Sequence, residues 1–138
     1  MPTGKGISLL FIEDNKDVLD LSVQIIQMRF PKLIIHPATS PEEALDLFKE
    51  YKHDIVITDI FAPKQQVGLK IASLICDAKP EAIVIFITAE TNIKLDHLKK
   101  KAKILCLEGL IHKPVDLKEL LKIIKDAIAI ASDRKKAN

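Results

Sequence analysis

Short runs of Ile, Leu and Val alternate along the chain with longer stretches in which apolar residues recur every three or four positions. The short runs fall at 7–12 (ISLLFI), 33–36, 54–58 (DIVIT), 82–88 (AIVIFIT) and, more briefly, near 110–112. They mostly lack polar alternation, the pattern of strands covered on both faces. The longer stretches read as amphipathic helices. Over 15–30, Leu19, Val23, Ile26 and Phe30 form one face, with Asp17, Asp20, Gln24 and Gln27 opposite. Ser40-Pro41-Glu42-Glu43 is a capping box with proline at the first helical position, opening a helix that runs to about Tyr51. Val67, Ile71, Leu74, Ile75 and Ala78 stripe a third helix that Pro80 ends. A lysine-rich fourth runs over about 92–101. Residues 116–119 (DLKE) cap a fifth, which carries Leu117, Leu120, Leu121, Ile124 and Ile128.

Strand and helix thus alternate five times. This predicts an α/β fold: a doubly wound (βα)5 parallel sheet of flavodoxin-like type, with right-handed crossovers and strand order 2-1-3-4-5. No internal repeat or linker interrupts the pattern, so one domain is expected over 6–131, followed by a polar, frayed tail at 132–138.

Composition narrows the function. The 138 residues are 48% hydrophobic and 29% charged, the balance of a globular domain rather than a disordered chain. With 21 basic against 19 acidic side chains, the net charge of +2 gives no general case for nucleic acid or an anionic membrane as partner. Aromatics are 4% with no Trp, which argues against base stacking. Only Gly68 and Gly109 lie in the body of the chain, which excludes a glycine-rich phosphate loop. His36, His53, His97 and His112 show no metal-ligand spacing. Cys76 and Cys106 are far apart in apolar stretches and read as buried free thiols of a cytoplasmic protein. No apolar run approaches the roughly 20 residues of a membrane span.

In an open parallel sheet, ligands bind beyond the carboxyl ends of the strands, where strand order reverses. Glu13 and Asp14 follow the first strand, Asp59 the third, Thr88 ends the fourth and Lys113-Pro114 follow the fifth. Singly, each has an ordinary structural use: Glu13 and Asp14 as caps of the first helix, Asp59 in a turn before Pro63. Together, three converging carboxylates repel unless a cation offsets them. An oxygen-only set that leaves room for water and phosphate suits Mg²⁺. Lys113 and the Thr88 hydroxyl add a cation and a donor beside Asp59. A carboxylate placed so can attack phosphorus, because phosphoryl transfer requires chiefly positioning and charge neutralisation.

The segments IEDN (12–15), TDIFAP (58–63), ITAE (87–90) and HKPV (112–115) resemble the motifs of the response regulator receiver domain of two-component signalling. The likeness spans about residues 6–131 and is to a stand-alone, CheY-like receiver. It implies that Asp59 accepts a phosphoryl group from a histidine kinase or phosphotransfer protein, and that Asp14, Asp59 and the Phe61 carbonyl bind Mg²⁺ while Glu13 acts through water. It implies further that Thr88 and Lys113 bond the phosphoryl oxygens and that the Lys113–Pro114 bond is cis. Such a protein is no enzyme beyond accepting its own phosphoryl group and losing it slowly. Phe61 and Glu90 stand where the family sets dephosphorylation rate. The sequence departs from the family at Leu110, where an aromatic switch residue is usual, at Ala62, where Met is common, and in a loop at 64–67 one residue longer than usual. The expected signalling surface is helix 4, strand 5 and helix 5. On helix 4, Lys94, Lys99, Lys100, Lys101 and Lys103 face Asp96 alone. On helix 5, Ile123, Ala127 and Ile130 widen the apolar stripe toward an effector or a homodimer mate. The alternative is a pseudo-receiver, a binding module of the same fold that does not switch by phosphorylation. A flavin-binding reading lacks the Ser/Thr/Gly-rich loop it needs after the first strand.

Overall fold

A computed structural model describes residues 4–59, 65–90, 94–102 and 104–137, the side chains of 65–67, 101 and 102 excepted. In chain order the elements are β1 (Ser8–Ile12), α1 (Lys16–Arg29), β2 (Ile34–Ala38), α2 (Pro41–Tyr51) and β3 (Ile55–Asp59). Then come α3 (Gln65–Ala78), β4 (Ile83–Thr88), α4 (Leu95–Ala102), β5 (Leu107–His112) and α5 (Leu117–Ala137). The strands are all parallel, in the order β2-β1-β3-β4-β5. That is the predicted class and topology.

Alternate residues of each inner strand feed two cores. Leu10, Ile12, Val56, Val84 and Phe86 face α2, α3 and α4. Leu9, Phe11, Ile57 and Ile85 pack against Leu19 and Ile26 of α1 and Leu120, Ile124 and Ile128 of α5. Every residue of β3 and β4 is buried, which explains their unbroken apolar runs. The edge strands read less clearly. β2 continues through Pro37, whose missing N–H is harmless at an edge. β5 starts at Leu107, earlier than expected, because exposed Glu108 breaks its apolar run. Gly109 lets α5 pack close there: a Cβ would come within 2.4 Å of Ile123 Cδ1, and that side chain would have to shift.

Several expectations are corrected. The tail is not frayed: α5 runs to Ala137, because Arg134 donates to the Glu81 carbonyl at 2.8 Å and Lys135 pairs with buried Asp54 at 3.1 Å. Cys76 and Cys106 are not free thiols. Both lie in the core beneath α3 and α4, their Cα atoms 5.6 Å apart, and they form a disulfide. Leu74 and Leu117, assigned to buried stripes, are about half exposed. The second edge of α5 is largely covered within the fold: Ala127 is buried and Ile123 packs on the sheet, which leaves only Ile130 of the three exposed. α4 begins at Leu95; of the loop expected at 64–67, residues 65–67 already belong to α3, while residues 60–64, with Phe61 and Ala62, lie outside the described residues.

Candidate functional site

The sheet brings the carboxyl ends of β1 and β3 side by side, with Ile12 opposite Thr58. Asp59 is the last residue of β3, one position beyond that pair, and is buried. Glu13 directly follows β1 and is also buried, its N–H held by the Ala38 carbonyl at 3.0 Å. Asp14 is exposed at the rim. Neither acid caps α1. That role falls to Asn15, whose side chain accepts from the Val18 N–H at 3.1 Å and whose own N–H donates to Glu13 Oε2 at 3.2 Å. Asn15 was not singled out from the sequence, although an Asn just before a helical pattern is a recognised start signal.

The opposite wall comes from β4 and β5. Thr88 ends β4, buried, opposite His112 of β5. Its hydroxyl accepts from the Glu90 N–H at 3.1 Å, and its carbonyl accepts from the Lys113 N–H at 2.7 Å. The Lys113–Pro114 peptide is cis. The Lys113 ammonium reaches across and forms a hydrogen-bonded ion pair with Asp59 Oδ2. Leu110, two residues before His112, is half-buried against the α4-side core.

Among the described residues, three carboxyls therefore meet one ammonium, and the titration behaviour reflects it. Burial, a hydrogen bond with Asp14 and the nearby Asp59 charge push the Glu13 carboxyl up to about 7, against the Asn15 N–H, which favours the anion. Burial works against the Lys113 charge, but the Asp59 carboxylate, with Glu13 and Asp14 behind it, outweighs burial and holds the ammonium above its ordinary value. The cluster lies at the head of a groove of about 550 Å³ between α1 and α5, where Val18, Leu21 and Leu117 are exposed.

The donor set also bears on metal binding. Among the described residues, no group of three His, Cys, Asp or Glu side chains surrounds a ready-made ion position. The acids that converge are all oxygen donors, short of positive charge, and one of them is rim-exposed. This fits an ion that keeps several waters and takes only one or two carboxylates, the habit of Mg²⁺.

A family model for the response regulator receiver domain matches residues 9–125. The chain belongs to the response regulator receiver domain family. The chemotaxis protein CheY of Halobacterium salinarum is 28% identical over 120 residues, 87% of this chain and 95% of that protein. The positive alginate biosynthesis regulatory protein of Pseudomonas aeruginosa is 28% identical over 122 residues, 88% of this chain. The chain spans about half of that regulator's length, 47%. The solved structure of response regulator protein TrrA of Thermotoga maritima in complex with Mg(2+)-BeF superposes with a TM-score of 0.70 at 26% identity, covering 88% of this chain and 98% of that one. The receiver family works in two-component signalling and uses Mg²⁺ at its phosphorylation site. Among the described residues of this receiver, no helix is long and apolar enough to cross a membrane.

Proposed function

We propose that this receiver accepts a phosphoryl group on Asp59 from the phosphohistidine of a histidine kinase or phosphotransfer protein, in the cytoplasm, and signals through Thr88 and the α4–β5–α5 face. The observation that carries the reading is the convergence of Glu13, Asp14 and Asp59 on a single ammonium. An Asp59 carboxylate oxygen attacks phosphorus as the P–N bond to the donor imidazole breaks. Lys113 offsets the charge carried by the acyl phosphate. Asp14, Asp59 and the Phe61 carbonyl would hold Mg²⁺, with Glu13 bonded through water, and the bound ion would neutralise the phosphoryl oxygens. Thr88 Oγ1, which accepts from the Glu90 N–H, keeps its own proton to donate to a phosphoryl oxygen and then moves toward Asp59. Phe61, which offers no hydrogen bond to an attacking water, shields the product, so a Phe61→Asn chain is expected to lose phosphate faster.

Leu110 favours a second reading, a binding module whose phosphorylation does not switch its surface. Intact mass after acetyl phosphate and Mg²⁺ decides the first step. A phosphate-sized gain in the wild type and none in Asp59→Asn is expected; no gain in either chain refutes the phosphoacceptor reading.

A further inference from the structure

Cys76 stands in the last turn of α3, and Cys106 immediately precedes β5. Their disulfide has a sequence separation of 30 residues. The loop it closes contains all of β4, the terminal Thr88 and all of α4. It is also fastened at an irregular place in the sheet. The Cys106 carbonyl accepts from the Val84 N–H at 3.0 Å, and the β4–β5 register shifts between Val84 and Ile85. Leu98 of α4 and Ile104 belong to the same core cluster as the two cysteines. Both cysteines are buried, so an external thiol reaches them only through local opening of the fold.

We propose that the Cys76–Cys106 pair is a redox latch on α4 and the start of β5. Oxidised, it ties to α3 the segment through which a phosphoryl group on Asp59 acts; reduced, it lets that segment move. The consequence for signalling rests on the phosphoacceptor reading. On the proposed reading the chain works in the cytoplasm, a reducing compartment where a disulfide is conditional rather than permanent. Closure balances as a thiol–disulfide exchange with a glutathione-type disulfide. Each cysteine gives up one proton and one electron, the chain's S–S bond forms, and the oxidant's S–S bond breaks to give two thiols. Coupling is reciprocal: if the bond restrains α4, then a shift of α4 on phosphorylation changes the equilibrium between disulfide and dithiol by the same free energy.

The full chain is brought to each state with oxidised glutathione or dithiothreitol, and its state is verified by alkylation and intact mass. Backbone hydrogen exchange over 95–102 and 104–110 is then compared with and without acetyl phosphate and Mg²⁺. Phosphorylation should accelerate exchange there by about fivefold more in the reduced chain than in the oxidised one. Cys106→Ala should behave as the reduced chain in either buffer. An equal response in both states overturns the latch, as do two alkylatable thiols after glutathione disulfide. If neither state gains phosphate, the phosphoacceptor reading fails. The latch is then decided in the unmodified chain: several-fold slower exchange when oxidised supports it, and equal exchange overturns it.

Discussion

His53 gives the fold a hidden dependence on pH. It lies between α2 and β3, wholly buried, with Nε2 2.8 Å from His36 Nδ1 and its ring 6.2 Å from that of Phe48. Its Nδ1 is buried and has no hydrogen-bond partner among the described residues. Burial, then repulsion from His36 and Lys79, depress the imidazole from 6.5 to about 4, although Asp54 pulls the other way. The folded state therefore keeps His53 neutral where the unfolded chain takes a proton. The resulting stability is complete above pH 6.5 and is lost as the pH falls toward 4. At about 1.4 kcal/mol per pH unit, the loss is about 2 kcal/mol at pH 5 and about 3.4 kcal/mol in full. Glu13 hides this in the native chain. Its carboxyl is raised to about 7, so its contribution is fully present below 4.5 and is lost as the pH rises through 7. That is a change of similar size and opposite sign. Comparing wild type with His53→Phe removes it, since Glu13 is common to both. Urea unfolding at pH 7.5 and pH 5 should show the wild type losing about 2 kcal/mol relative to the variant. A gap that does not change with pH would mean that His53 takes up its proton inside the fold, and would refute the account.

The acidic cluster predicts that Glu13→Gln, near in shape and lacking charge, unfolds within about 1 kcal/mol of wild type without metal, yet binds Mg²⁺ about 10–100-fold more weakly by calorimetry. Unchanged affinity would remove Glu13 from the ion's environment. Mg²⁺ at about a hundred times its Kd should raise stability by about 2.7 kcal/mol in wild type and much less in Asp14→Asn, read as the urea midpoint. Reducing the disulfide, which closes a loop of 30 residues, should cost about 3.5 kcal/mol on the chain-entropy account. A midpoint indifferent to dithiothreitol contradicts that. Truncation after Ala131 removes the Arg134 and Lys135 anchors and should cost about 1 kcal/mol, since both side chains are more than a third exposed; a frayed tail would cost nothing.

What could be read from the sequence followed burial. β1, β3 and β4 stand out because both faces are covered, so nothing polar dilutes their apolar runs. β2 and β5 lie at the edges, where Pro37 and Glu108 interrupt the pattern, and their limits emerged only from pairing. That Glu13, Asp14, Asp59, Thr88 and Lys113 would gather at one end was legible because a parallel sheet aligns the carboxyl ends of its strands, and these residues stand there. The pairing of Cys76 with Cys106 was not legible, since a separation of 30 residues says nothing about proximity until α3 and β5 are packed together. Likewise, whether Leu74 or Cys76 faces the core turns on a small rotation of α3 that a stripe of five apolar residues does not fix.

The two ends of the sheet show why only one invites chemistry. At the amino end, buried Asp54 accepts from the Ser8 N–H at 3.0 Å and pairs with Lys79 at 3.0 Å and Lys135 at 3.1 Å. Burial alone would raise its carboxyl, but these partners more than compensate and hold it below the usual range, so the charge is settled within the protein. At the carboxyl end the ratio is inverted among the described residues, with one ammonium for three carboxyls, and burial, the Asp14 hydrogen bond and the Asp59 charge push the Glu13 carboxyl up to about 7. An acid cluster short of cations is the kind of set that exchanges a proton for a divalent cation, in keeping with the receiver family's use of Mg²⁺ at its phosphorylation site. The amino-end aspartate has no such vacancy of charge. The difference between the two aspartates is thus the count of neighbouring cations among the described residues, not burial, which the two share.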